Sequence, residues 1–173
     1  MTKTIVLDAS AFIAGYSPLP RLGRHFTVPE VQQEIQKDPF QTNIMLMIET
    51  GSLQVMAASK EDVRRVSDTA SETGDLGNLS AADVSVLALA LRLKSISGDV
   101  VLVSEDYSVQ NTAQRLGIRY QTLSTRGITK AVTWITYCPG CRRAHKHMAV
   151  GDRCPVCGTV LKRRPGSKKD LLS

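Results

Sequence analysis

Cysteine is missing from the first 137 residues of this 173-residue chain, and all four cysteines fall between Cys138 and Cys157. Disulfides therefore do not staple the larger part of the molecule, which relies on an apolar core, and at 42% hydrophobic residues the chain has the material for one. Long apolar runs are missing too: the longest, Val84 to Leu93, is broken by Ser85 and Arg92 and is far short of a membrane span. The opening residues, MTKTIVLDAS, meet Asp8 after a short apolar stretch, and the expectation is a cytoplasmic protein. Histidine is scarce, and His25 alone stands outside the cysteine-bearing segment, where a structural or surface role is expected. Acidic residues thin out at the far end. Residues 126–173 carry 11 Lys and Arg against 2 Asp and Glu, a net of +9, whereas residues 1–125 carry 11 against 14, a net of −3. An acidic body with a basic end suits a polyanion gripped by one part and worked on by the other; a tail serving only solubility gives the same count.

What is present is an alternation of short apolar runs and helical patterns. Thr4 to Leu7 is a β-branched-rich run ending at Asp8, and a helix is expected from Ala9 to Ala14. Pro29 suits the first turn of a second helix, and Phe40 to Thr50 reads as a third, stopped by Gly51. Leu53 to Met56 reads as a strand, Glu61 to Ser71 as a polar surface helix and Thr73 to Asn78 (TGDLGN) as a turn-rich loop. Ser80 to Asp83 has capping-box spacing ahead of the apolar helix Val84 to Leu93. Val100 to Val103 is a compact strand, Tyr107 to Leu116 a helix and Ile118 to Leu123 a last strand. Strands alternating with helices imply right-handed crossovers, hence an α/β domain with a mainly parallel central sheet and helices on both faces. Composition shifts near Ser124 to Gly127, so the expected organisation is a main domain over 1–125, a small domain over 126–162 and a basic, mobile tail over 163–173.

Four carboxylates stand where chemistry is expected. Asp8 directly follows the first strand, Asp106 follows the Val100–Val103 strand by two residues of turn, Asp83 lies in the first turn of the most apolar helix, and Glu34 lies in the Pro29 helix. Ligands in open α/β sheets bind at the carboxyl ends of strands, and acids gathered there repel one another unless a cation sits between them. Hard oxygen ligands of this kind suit Mg²⁺ or Mn²⁺. Each acid also has a local use. Asp8 and Asp106 suit N-caps, Asp83 the acidic place of a capping box, and Glu34 a solvated helix face.

The runs IVLDASAFI, VPEVQQEI, LSAADVSVLALAL and VLVSEDYSVQN together resemble the PIN-domain nucleases over roughly residues 4–123. That resemblance implies a small α/β fold in which Asp8, Glu34, Asp83 and Asp106 are the metal-holding catalytic acids, with Ser10 and Ser104 as accessory hydroxyls. The following cysteine module narrows it to the archaeal form of the Nin-one-binding-protein family. SEDYSVQN resembles that family's T-D-D-Y-S-x-Q-N, with Ser104 for Thr and Glu105 for Asp; Asp106 keeps the ligand place and Glu105 is an accessory. The resemblance implies a divalent-metal-dependent endoribonuclease that uses one or two Mg²⁺ or Mn²⁺. Its substrate would be single-stranded precursor rRNA, cut at the 3′ end of small-subunit rRNA, and its partner the pre-ribosomal small subunit.

Cys138-x-x-Cys141 and Cys154-x-x-Cys157 have the spacing of two knuckles that place four thiolates around one Zn²⁺. A Cys₄ zinc leaves no position open for water, so the ion is structural and a second metal does the cutting. Lys130, Arg142, Arg143, Lys146, Lys162, Arg163 and Arg164 lie around the knuckles, and this excess over the −2 of a zinc tetrathiolate points to RNA phosphates. Trp134 is expected in the small domain's core. Two rival functions stand beside this reading: a non-catalytic RNA-binding assembly factor with an inert PIN-like fold, and a toxin-type PIN ribonuclease, expected to resemble the first domain alone.

Overall fold

Four consecutive buried residues, Thr4–Leu7, form β1 at the centre of a five-stranded sheet. A strand covered on both faces reads as a continuous run and not as an alternation, and β4 (Val100–Val103), equally buried, lies directly beside it. The remaining strands are β2 (Arg24–Thr27), β3 (Gln54–Val55) and β5 (Arg119–Gln121). In the computed structural model, which describes residues 3–35, 41–123, 134–145 and 148–166, the sheet order is β3-β2-β1-β4-β5, all parallel.

This order positions the site. From β1 the chain moves outward to β2 and β3, then returns to β4 on the other side of β1 and continues to β5. Right-handed crossovers put connections running in opposite directions on opposite faces, which opens a crevice at the carboxyl ends of β1 and β4. Leu7 pairs with Val103, so Asp8 and Ser104 leave the sheet side by side at that crevice.

Six helices surround the sheet among the described residues: α1 (Ala9–Ile13), α2 (Pro29–Ile35), α3 (Gln41–Glu49), α4 (Lys60–Thr73), α5 (Ala81–Ser97) and α6 (Tyr107–Arg115). Helix α5 is apolar nearly all round and packs on β1 and β4 as well as on α2, α4 and α6. Val86, Leu87 and Leu89 are fully buried along it, each contributing about 1.5–3 kcal/mol of apolar burial. The anticipated capping box starts it: Asp83 N–H donates to Ser80 Oγ at 3.1 Å, and Ser80 N–H donates to Asp83 Oδ2 at 2.7 Å.

Strand β2 has no counterpart in the pattern expected from sequence, because Arg24 and His25 disguise it. His25 is buried in the sheet, with Tyr16 Oη 3.0 Å from its Nε2, and burial lowers its pKa. Beyond the main domain, β6 (Trp134–Tyr137) pairs antiparallel with β7 (Lys162–Pro165). The expected tail is therefore corrected at its start, since Arg163 to Pro165 belong to β7, whose ladder to β6 supplies their backbone partners. The expected 125/126 boundary and residues 167–173 lie outside the described residues.

Candidate active site and metal centres

Asp8 is 2% exposed, and both of its carboxylate oxygens accept hydrogen bonds, three in all against about four lone-pair sites. Oδ1 accepts the Ala9 N–H at 2.6 Å, capping α1, while Oδ2 accepts the hydroxyls of Ser10 at 2.7 Å and Ser104 at 2.8 Å. The two serines lie 3.3 Å apart and continue the network: Glu105 N–H donates to Ser10 Oγ at 3.0 Å and Asp106 N–H to Ser104 Oγ at 3.1 Å. Asp106 caps α6, its Oδ1 accepting from Ser108 N–H and Val109 N–H at 2.6 and 3.0 Å. Gln110, buried on α6, donates to the Ser104 carbonyl at 3.2 Å and ties the helix back to the turn.

The local uses expected of these acids are all present in the structure. Asp8, Asp83 and Asp106 are caps, and they also face one another electrostatically. Burial raises the pKa of Asp8 against the hydrogen bonds from Ser10, Ser104 and Ala9, and the Asp106 charge raises it further. Burial likewise raises that of Asp83, with the charges of Asp8 and Asp106 adding to it. None of the three is in a salt bridge among the described residues. One oxygen each of Asp83 and Asp106 is left over from capping, so the donor set is hard oxygen with unbalanced negative charge, which fits a divalent cation. The acids are more widely spaced than the thiols, the one group of three or more ligand-type side chains among the described residues whose donor atoms all lie within 4.8 Å.

Glu34 is exposed on α2 and takes no part in this network. Glu30, one turn earlier, does make a tertiary contact: Ser85 Oγ of α5 donates to its Oε1 at 3.1 Å, and its Oε2 is buried without a hydrogen-bond partner. Glu105 accepts the Leu123 N–H on its carboxylate, which secures the turn after β4 to the end of β5.

Cys138, Cys141, Cys154 and Cys157 converge with Sγ–Sγ distances of 3.3 Å (138 to 157) and 3.7 Å (141 to 154). A tetrahedral zinc with Zn–S bonds of about 2.3 Å needs edges of about 3.8 Å, so the thiols fit that ion. The knuckles repeat one geometry. Arg142 N–H donates to the Cys138 carbonyl and Gly158 N–H to the Cys154 carbonyl, both at 2.8 Å, and both residues are left-handed, with φ of 62° and 71°. The thiols titrate as one group: hydrogen bonding with Thr159 brings the Cys157 pKa down to about 6, while that of Cys141 is raised to about 11. The small core is Cys138, Cys154 and Leu161 with Cys141 and Met148, and it does not include Trp134. Instead the Arg163 guanidinium lies 4.4 Å over the Trp134 ring. Arg142, Arg143, Lys162 and Arg164 are exposed, Arg163 is half-buried, and Lys130 and Lys146 lie outside the described residues.

Comparison with known proteins decides the family. Residues 5–93 match the family described as the PIN domain of ribonuclease. The chain is 36% identical over 162 residues to the Endoribonuclease Nob1 of Methanocaldococcus jannaschii, covering 94% of this chain and 78% of that one. It is 38% identical to the Endoribonuclease Nob1 of Pyrococcus abyssi, covering 93% of each. The chain belongs to the Nob1 family of PIN-domain endoribonucleases. It is accordingly an enzyme, and the inert-fold alternative falls away. The Ribonuclease VapC1 of Thermoplasma acidophilum is 32% identical over 96% of this chain and 81% of its own length. That match is too long to be confined to residues 1–125.

In this Nob1-family enzyme one acid stands outside the set expected from sequence. Asp75, in the TGD turn after α4, is 0% exposed. Its Oδ2 accepts from Asn111 Nδ2 on α6, its Oδ1 lies 3.8 Å from Arg163 Nη1 of β7, and burial raises its pKa. The available signal was an acid directly after Gly74, which closes α4 in the left-handed conformation (φ 74°).

Proposed function

We propose that this enzyme is a divalent-metal-dependent nuclease that trims the 3′ end of precursor small-subunit rRNA on the assembling small subunit, in the cytoplasm. The observation that carries the metal dependence is the set of three carboxylates, Asp8, Asp83 and Asp106, at the β1/β4 crevice with no basic side chain paired to them among the described residues. Bound there, one or two Mg²⁺ or Mn²⁺ would supply an activated water and offset charge on the phosphodiester. Asp8 is held by Ser10 and Ser104, which fix the direction of its carboxylate; Asp83 and Asp106 are held by the helix ends they cap. Glu34 is kept as the fourth acid on the resemblance alone, since it is exposed on α2 and outside the network, and Glu105 steadies the turn that carries Asp106. The ribbon, closed around one structural Zn²⁺ by its four cysteines, offers Arg142, Arg143, Lys146, Lys162 and Arg164, with Lys130 before it and Arg163 in part, to the RNA backbone. The rRNA substrate follows from the SEDYSVQN and cysteine-module resemblance.

The test is cleavage of an RNA spanning the 3′ end of small-subunit rRNA, with and without Mn²⁺ or Mg²⁺, followed by mapping of the product ends. The expected result is metal-dependent cutting at one position, abolished in Asp8→Asn and in Asp106→Asn. Undiminished cutting by both variants overturns the centre. Efficient cutting of unrelated RNAs at many positions instead favours a toxin-type ribonuclease.

A further inference from the structure

Where the ribbon meets the nuclease domain lies a buried carboxylate, Asp75, bonded within the nuclease domain by Asn111 and Thr73 and facing an arginine of the ribbon. Gly74 makes the approach possible: a Cβ at this position would lie 2.6 Å from the Trp134 carbonyl oxygen and 3.0 Å from Trp134 Cβ, so β6 rests directly on the glycine. The next residue, Asp75, is buried and divides its carboxylate between two domains. Oδ2 takes Asn111 of α6, and Oδ1 faces Arg163 of β7 at 3.8 Å with no hydrogen bond of its own. Arg163 is held in place by stacking over Trp134, the residue that abuts Gly74. Asn111 belongs to the helix that begins at Asp106.

These residues form a continuous path: ribbon strand β7, Arg163, Asp75, Asn111, α6 and its cap Asp106. We propose that Asp75 is a positioning residue through which the docked zinc ribbon sets the α6 end of the catalytic metal site, with Arg163 as its counter-charge. The zinc module is then more than an RNA grip. Without Arg163 the buried carboxylate loses its counter-charge and is relieved by taking up a proton or by movement of the TGD turn, and either change alters its hydrogen bond to Asn111 on α6. The inference rests on the reading of Asp106 as part of the catalytic metal site.

The experiment uses the zinc-loaded full chain and avoids RNA, so that any role of Arg163 in holding phosphate does not enter. Mn²⁺ binding is titrated, and amide hydrogen exchange is measured over Ser108–Asn111, for the unmodified chain, Arg163→Met, Asp75→Asn with Arg163→Met, and Asp106→Asn. Arg163→Met is expected to weaken Mn²⁺ binding roughly threefold to thirtyfold and to speed exchange at the start of α6. The double variant, whose uncharged amide at position 75 still accepts from Asn111, is expected to recover most of both. Unchanged Mn²⁺ binding and exchange in Arg163→Met, or a double variant as impaired as the single, overturns the coupling. Asp106→Asn separates the two readings. If it binds Mn²⁺ as tightly as the unmodified chain, the assignment of Asp106 fails; if it loses Mn²⁺ while Arg163→Met does not, only the coupling fails.

Discussion

Asp8 shows how one residue carries opposing demands. As a cap it needs only an acceptor, and asparagine would serve nearly as well. As a buried carboxylate close to Asp83 and Asp106 it resists ionisation. The pKa values of Asp8, Asp75 and Asp83 are all raised, chiefly by burial. Each group therefore binds its proton more tightly in the folded chain than in the unfolded one. Over the window from the ordinary carboxylate range up to the raised folded value, stability is greatest at the acid side and falls as pH rises. The metal-free protein should thus lose melting temperature as pH rises above the ordinary carboxylate range, and saturating Mn²⁺ should flatten that loss. Asp8→Asn should melt a few degrees higher than the unmodified chain in chelator at neutral pH while its cleavage rate falls by about a hundredfold or more. A variant that is both destabilised and active would contradict this. Arg142 poses a second residue-scale conflict, since it occupies the left-handed position that Gly158 occupies in the other knuckle. Arg142→Gly should stabilise the ribbon by about 1 kcal/mol, read by zinc-loaded thermal melts, and should weaken RNA binding in the same protein.

At the scale of elements, the helix ends decide where the candidate acids sit. The capping box of α5 and the N-cap of α6 place Asp83 and Asp106 at the crevice, so stability and function are separable by the choice of substitution. Asp106→Ala should cost about 1 kcal/mol of stability together with activity, whereas Asp106→Asn should keep the cap and lose only the cutting; denaturant melts beside cleavage assays distinguish them. Much of this is legible in sequence, because capping and unbroken apolar runs are local properties: β1, β4, the box at Ser80–Asp83 and the cysteine knuckles all stand where the pattern puts them. What escapes is non-local. β2 is polar at Arg24 and His25, and its place in the sheet follows from pairing with β1 and from Tyr16 meeting His25. Asp75 in a glycine-bearing turn reads as solvent-facing loop, since its partners, Asn111 and Arg163, lie 36 and 88 positions away in the chain. Trp134 reads as core by its size, whereas its ring is covered by an arginine where the two domains meet.

For the whole molecule, the charge division seen in the sequence is the basis of the proposed division of labour. The acids gather at the β1/β4 crevice, and exposed arginines and lysines lie on the ribbon. Binding of single-stranded RNA should weaken steeply with salt. Neutralising Arg142, Arg143 and Lys146 together should lower affinity and reduce the log–log salt slope by roughly two, at about 0.7 for each phosphate no longer neutralised. Fluorescence anisotropy across a salt series checks this, and an unchanged slope would place the grip elsewhere.

The pairing of β1 with β4 also bears on when the enzyme comes into being. Ser104, which helps aim the Asp8 carboxylate, follows it by 96 residues, and Arg163 comes later still. A chain emerging from the ribosome exposes Asp8 early, yet it has no cutting centre until β4 and α6 have been made and folded back beside β1. Asp75 then waits for its counter-charge until the ribbon has followed. A metal site built on Asp8, Asp83 and Asp106 cannot assemble before α6 has been made, so vectorial synthesis delays it by the 98 residues that separate Asp8 from Asp106.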